Sequence, residues 1–159
     1  MSITKDILRA WRQPKAVIRS KLAAGIREDR ALAVIMAAGV MMFVAQWPSL
    51  SRAAFYDPSI PLEARMTGAL MGSVFILPLA CYVLGGLSHL FCKIFGGKGS
   101  GYAARLALFW SMLAISPVML LQGLVAGFIG TGPQLVAVGV VVALAFLYIW
   151  LNMLIEAER

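Results

Sequence analysis

Acidic residues are scarce in this chain of 159 residues, seven against fourteen lysines and arginines, and long stretches carry no charge of either sign. Only one histidine, His89, and two cysteines, Cys81 and Cys92, are present. Chemistry performed inside lipid calls for ionisable groups within the apolar runs, because burying them is costly and function is the usual compensation. His89 stands beside Ser88 with no carboxylate or second histidine in any such run, so it lacks partners for metal binding or a proton relay. It reads as a hydrogen-bonded residue near a membrane surface. No nucleophile with its base and no metal set is visible, so the expectation is a non-enzymatic protein without catalytic residues, metal or cofactor. Cys81 and Cys92 fall on one expected helix about three turns apart, roughly 16 Å by helical rise, which is beyond disulfide reach.

What the sequence has in abundance is apolar surface. It is 61% hydrophobic with a mean hydropathy of +0.86, which places a chain of this length in a membrane as one domain. Residues 106–155 contain no Asp, Glu, Lys or Arg. At about 1.5 Å per helical residue this run is roughly twice what a bilayer core of about 30 Å requires, so it must fold back on itself. Gly127, Gly130, Thr131, Gly132 and Pro133 mark the reversal, with Pro133 suited to the first turn of the returning helix. Two more uncharged runs, 31–51 and 66–92, precede it. The expected fold is an all-α integral membrane four-helix bundle, with spans at about 31–51, 67–95, 106–128 and 133–155. Asp29 is placed to cap the first span, Pro48 to loosen its end, and Pro78 and Pro117 to bend the second and third.

Residues 1–30 form a basic amphipathic interfacial segment. Ile7, Trp11, Ile18, Leu22 and Ile26 recur at helical spacing, and Lys5, Arg9, Arg12, Lys15, Arg19 and Lys21 fill much of the rest. Pro14 divides it into two short helices, opening the second. It reads as a retained membrane-surface element and not as a secretory signal. The alternative is a basic arm that orders by packing on a neighbouring subunit, with Trp11 as the partner anchor. All basic residues but Arg52 and Arg65 flank one set of span ends. This asymmetry predicts a bacterial inner (cytoplasmic) membrane protein with both termini cytoplasmic, and makes anionic lipid headgroups, not nucleic acid, the partner of the net charge of +7. Candidate headgroup-binding residues are Arg12, Lys15, Arg19, Lys93, Lys98 and Arg105.

The turn Gly96-Gly97-Lys98-Gly99-Ser100-Gly101 fails the nucleotide-loop pattern, since Lys98 is followed by glycine. It could cradle a lipid phosphate on its amides or serve as a plain flexible reversal. Gly68 with Gly72, Gly123 with Gly127, and Ala33 with Ala37 have helix-packing spacing, and contact within the chain is the default. Gln122 and Asn152 are candidate hydrogen-bonding glue between spans.

The order Gln13-Pro14-Lys15 before an amphipathic segment, then Phe95-Gly-Gly-Lys-Gly-Ser-Gly-Tyr102 and Ile115-Ser-Pro117 in the third span, resembles bacterial members of the Yip family, the Ypt/Rab-interacting membrane proteins. The likeness covers most of the chain, and the glycine-rich turn and the Ser-Pro pair are its strongest pieces. Eukaryotic relatives are small multispan proteins that engage prenylated GTPases, usually with five spans where four are counted here. The resemblance implies membrane residence and an interaction role. Two functions are therefore expected in order: an accessory subunit of a larger membrane complex, such as a respiratory or photosynthetic assembly, or a homo-oligomer, acting by helix packing with a partner or lipid; and, as the alternative, a small transporter or channel subunit in which Gln122 and Asn152 line a path.

Overall fold

The structure is a computed structural model that describes residues 2–159. Among these the chain is all-α, with helices α1 (Ile3–Arg12), α2 (Pro14–Leu22), α3 (Glu28–Tyr56), α4 (Leu62–Ile94), α5 (Gly101–Phe128) and α6 (Pro133–Ala157). The last four are each long and apolar enough to cross a bilayer, which makes this a multi-pass membrane protein with two short helices at its N-terminus.

The helices extend past the uncharged runs that predict them. α3 continues through Pro48 and past Ser51 to Tyr56, and α4 begins at Leu62, because helical hydrogen bonding persists where long side chains such as Arg52 and Arg65 can reach polar surroundings. Asp29 is not the cap of α3. Arg27 holds that position without a capping side chain, and Asp29 lies in the first turn, where a carboxylate suits the exposed amides.

α5 is the centre of the bundle. Its most extensive contact is with α3, followed by α6 and α4. Its first half, from Tyr102 to Ser116, is almost wholly buried, because α1 and α2 also cover that end. Its second half is more open. Phe109, Ile35 and Ile149 are fully buried at the junctions of α5 with its neighbours.

Glycines set how closely the helices approach. A Cβ on Gly123 would fall on the Ala45 carbonyl oxygen, and one on Gly127 would fall on Pro48, so α3 and α5 meet backbone to backbone. Gly85 does the same for α4 and α5, since a Cβ there would lie only 2.9 Å from the Arg105 Cα. Gly39 lies against the Ser73 carbonyl oxygen, inside the π-helical segment Met71–Ile76 that interrupts α4. Pro78 follows this segment and cannot donate an amide, and the wider turn is how α4 absorbs that loss. Gln46 Nε2 donates to Ser73 Oγ at 2.7 Å and fastens α3 to the same turn.

In α5, Pro117 leaves the Leu113 carbonyl without its helical partner, and the Ser116 hydroxyl donates to that oxygen at 2.8 Å. The reversal into α6 falls where the glycines predict. Gly130 takes a φ of +87°, and Pro133 opens α6. Arg52 Nη1 donates to the Gly127 and Phe128 carbonyls at 3.2 and 3.3 Å, closing the C-terminal end of α5. Beyond α3, Ser59 donates from its hydroxyl and amide to Asp57, with Arg65 at 3.0 Å, and these hold the Asp57 carboxyl below its ordinary range. Both basic residues at this end are thus engaged within the chain.

Candidate functional site

The functional candidates gather at the opposite, basic end. α1 and α2 break at Gln13 with Pro14 in the first turn of α2, as its fixed φ favours. They fold back on each other as an antiparallel hairpin, tied near its open end by an ion pair between Asp6 and Lys21. The Asp6 side chain is only 3% exposed, and Lys21 Nζ also lies 4.6 Å from the centre of the Trp110 ring. Nothing in the spacing of apolar residues points to this buried pair. Its one sequence signal is a lone carboxylate among cations.

The hairpin stands along the bundle instead of lying flat on it. Arg19 bonds Glu156 at 2.6 and 2.9 Å, while Arg12 and Lys15 lie beside Tyr148 and Asn152, so α2 follows the last turns of α6 in parallel. The tip points toward the middle of the bundle. There Trp11 Nε1 donates to the Ala114 carbonyl at 3.0 Å, about 13 Å along α5 from Arg105 by helical rise. Ala114 lies one turn before Pro117 in α5, and its carbonyl accepts the indole N–H on a second lone pair. Trp11, expected as the anchor to a partner, makes its hydrogen bond within the chain.

The glycine-rich turn grips the end of α6. The Lys98 amide donates to the Glu158 carbonyl at 2.8 Å, and a Cβ on Gly99 would fall on the Ala157 carbonyl oxygen. The amides of Phe95, Gly96 and Gly97 bond back to Cys92 and Lys93. Most donors in the turn are therefore taken, which leaves little for a phosphate cradle, and its glycines serve close approach to α6. Ser100 caps α5 by accepting the Ala103 amide at 3.2 Å.

His89 finds a carboxylate here. Its Nδ1 lies 2.8 Å from Glu158 Oε1, and Glu158 Oε2 is buried without a partner among the described residues, against Gly97. Residues two apart on a helix point about 200° apart, so Glu156 faces the hairpin and Glu158 faces the turn. The end of α6 is clamped on two sides. Among the described residues no group of three His, Cys, Asp or Glu could hold a metal.

The six candidate headgroup residues divide by what they touch. Arg19 is paired with Glu156, and Arg105 is paired with Glu28 while lying 5.7 Å from the Tyr82 ring centre. Arg12, Lys15, Lys93 and Lys98 are exposed and make no ion pair among the described residues. The first two lie on the hairpin and the last two on the far side of the α6 end.

The packing glycines divide as well. Gly123 and Gly127 are filled by α3, whereas Gly68 and Gly72 on α4 meet nothing within 4 Å. Gln122 and Asn152 do not line a common path. Gln122 borders a cavity of about 390 Å³ with Gln46, Ser49 and Ser73, while Asn152 donates to Tyr148 O at the basic end.

The fold and this site define a multi-pass membrane protein with a basic helical hairpin locked into one end of its bundle. No protein-family model, curated protein or solved structure matches the chain.

Proposed function

We propose that this protein is a non-enzymatic accessory subunit of a larger membrane assembly, embedded with its basic end in the cytoplasm and joined to a membrane-protein partner along α4. The observation that supports this reading is the contrast among glycines. Gly39, Gly85, Gly123 and Gly127 are each filled by a neighbouring helix, whereas Gly68, Gly72 and Gly86 on α4 face open space. Past the π-helical segment, Leu79, Val83, Gly86 and Leu90 are all exposed and follow one another at spacings of four and three, which places them on one face of the helix. Small residues on a lipid-facing helix allow a second helix to approach closely, and in lipid such packing drives association. An unpaired set of cations, Arg12, Lys15, Lys93 and Lys98, suits the anionic inner leaflet at the same end. The Yip resemblance points the same way, toward interaction without catalysis.

Purification of the full chain from its native membrane in mild detergent tests this reading. A companion polypeptide, or a second copy, is expected to travel with the wild-type protein. Gly86→Leu is expected to release it, at least tenfold, while leaving thermal stability in detergent unchanged. A monodisperse single chain in every detergent tried would contradict the proposal. The alternative of a small transporter or channel subunit draws on the polar cavity around Gln46 and Gln122, and solute flux in vesicles holding only this protein would favour it.

A further inference from the structure

A second cavity, also of about 390 Å³, opens at the basic end between the hairpin, α3 and α5. Its mouth and floor differ in chemistry. Lys21, Arg27 and Arg30 stand at the mouth, whereas Val34, Ala37, Leu106 and Leu113 line the depth, with Trp110 in the wall. Ala37 and Leu113 each lie about 10 Å, by helical rise, below Arg30 and Leu106 respectively. Ala33 and Ala37 have the spacing of a helix-packing pair, yet no helix is seated on them. Their small side chains are what leave the space open.

The three cations at the mouth are paired to different degrees. Lys21 is held by Asp6. Arg27 reaches Asp29 only at 3.4 and 3.5 Å, with both groups well exposed, so this contact is weak and readily exchanged. Arg30 makes no ion pair among the described residues. The Arg27 amide donates to the Tyr102 hydroxyl at 3.2 Å, which fixes the start of α3 over the top of α5 and holds the mouth in place. Two guanidinium groups at one end of an apolar groove, open on the side of Ala33 and Ala37, complement one kind of molecule. We propose that the cavity holds an acyl chain of an anionic phospholipid, with the phosphate received by Arg30 and Arg27. The volume lies within the range of small-molecule sites. None of these residues belongs to the α4 surface, so this site stands or falls separately from the docking of a partner there.

Native mass spectrometry of the full-length protein, with phosphatidylglycerol or phosphatidylcholine added in detergent, tests the assignment. The wild-type chain is expected to retain one phosphatidylglycerol, at least tenfold over phosphatidylcholine. Arg30→Gln is expected to remove that preference. Ala37→Leu, which fills the shaft without altering charge, is expected to reduce retention at least fivefold. Arg159→Gln, an exposed cation at the end of α6 and away from the cavity, is expected to change nothing. Elution as a single folded species and an unaltered melting temperature in each variant separate loss of the site from loss of the fold. Equal retention of the two lipids, equal effects of Arg30→Gln and Arg159→Gln, or indifference to Ala37→Leu in folded protein would each overturn the proposal. So would displacement of the lipid by soluble glycerol phosphate, which would mean that the apolar shaft contributes nothing.

Discussion

Gly123→Val is expected to cost the bundle about 3 kcal/mol or more, enough to leave little folded protein in a denaturing-detergent titration. The reason is geometric. Any Cβ at this position would occupy the place of the Ala45 carbonyl oxygen, which belongs to the backbone of α3 and cannot rotate away. α3 and α5 would have to separate along their most extensive contact, and the Gly127–Pro48 approach one turn further on would be lost with it. Gly68→Val provides the comparison, since it makes the same chemical change on α4 where nothing lies within 4 Å. It is expected to change stability by less than about 0.5 kcal/mol. Equal damage from both substitutions would mean that glycine matters here for some reason other than helix contact.

The second large effect is expected at Trp11. Trp11→Ala removes a part-buried indole at the hairpin tip together with its bond to the Ala114 carbonyl, a loss of about 3 kcal/mol at the lower end for such truncations. The damage should be local. α1 and α2 are expected to detach while the four spans persist, which hydrogen exchange would read as loss of protection in residues 3–22 with protection kept in residues 101–128. Trp11→Phe keeps most of the apolar contact and removes only the donor, so about 1 kcal/mol and partial release are expected. If protection in α1 and α2 survived Trp11→Ala, the hairpin would be held instead by the Arg19–Glu156 pair and the burial of Ala10, Val17 and Ile18.

Much of the fold can be read from where charge is missing. The runs 31–51 and 66–92 each match one long helix and 106–155 matches two, with Gly130 and Pro133 marking the reversal between them because a left-handed turn and a helix start have specific residue demands. Pro14 likewise marks the break between α1 and α2. The site was less legible, because it depends on contacts between distant segments. The hairpin's amphipathic pattern shows that one face is covered but not whether lipid or protein covers it, and the answer came from Trp11 meeting the Ala114 carbonyl, 103 residues away in sequence. An even number of spans does place the C-terminal glutamates beside the basic arm and turn, so the Glu156 and Glu158 pairings follow from topology once it is granted. The glycine-rich turn carries no signal for its close approach to Ala157 and Glu158, since glycine is equally what a flexible loop would use. Arg27 and Arg30 escaped notice among many cations. Their importance appears only when α5 and the hairpin enclose a space beneath them.

The placement of the bundle across the bilayer, with its basic end inside, is tested most directly by impermeant maleimide labelling of intact cells. In a chain with Cys81 and Cys92 replaced by alanine, single substitutions Ser59→Cys, Lys98→Cys and Thr131→Cys report the three connections between spans, all at exposed positions. Ser59→Cys and Thr131→Cys should react from outside, and Lys98→Cys only after the cells are opened. Reaction of Lys98→Cys and Thr131→Cys from the same side of a sealed membrane would contradict four crossings by these helices.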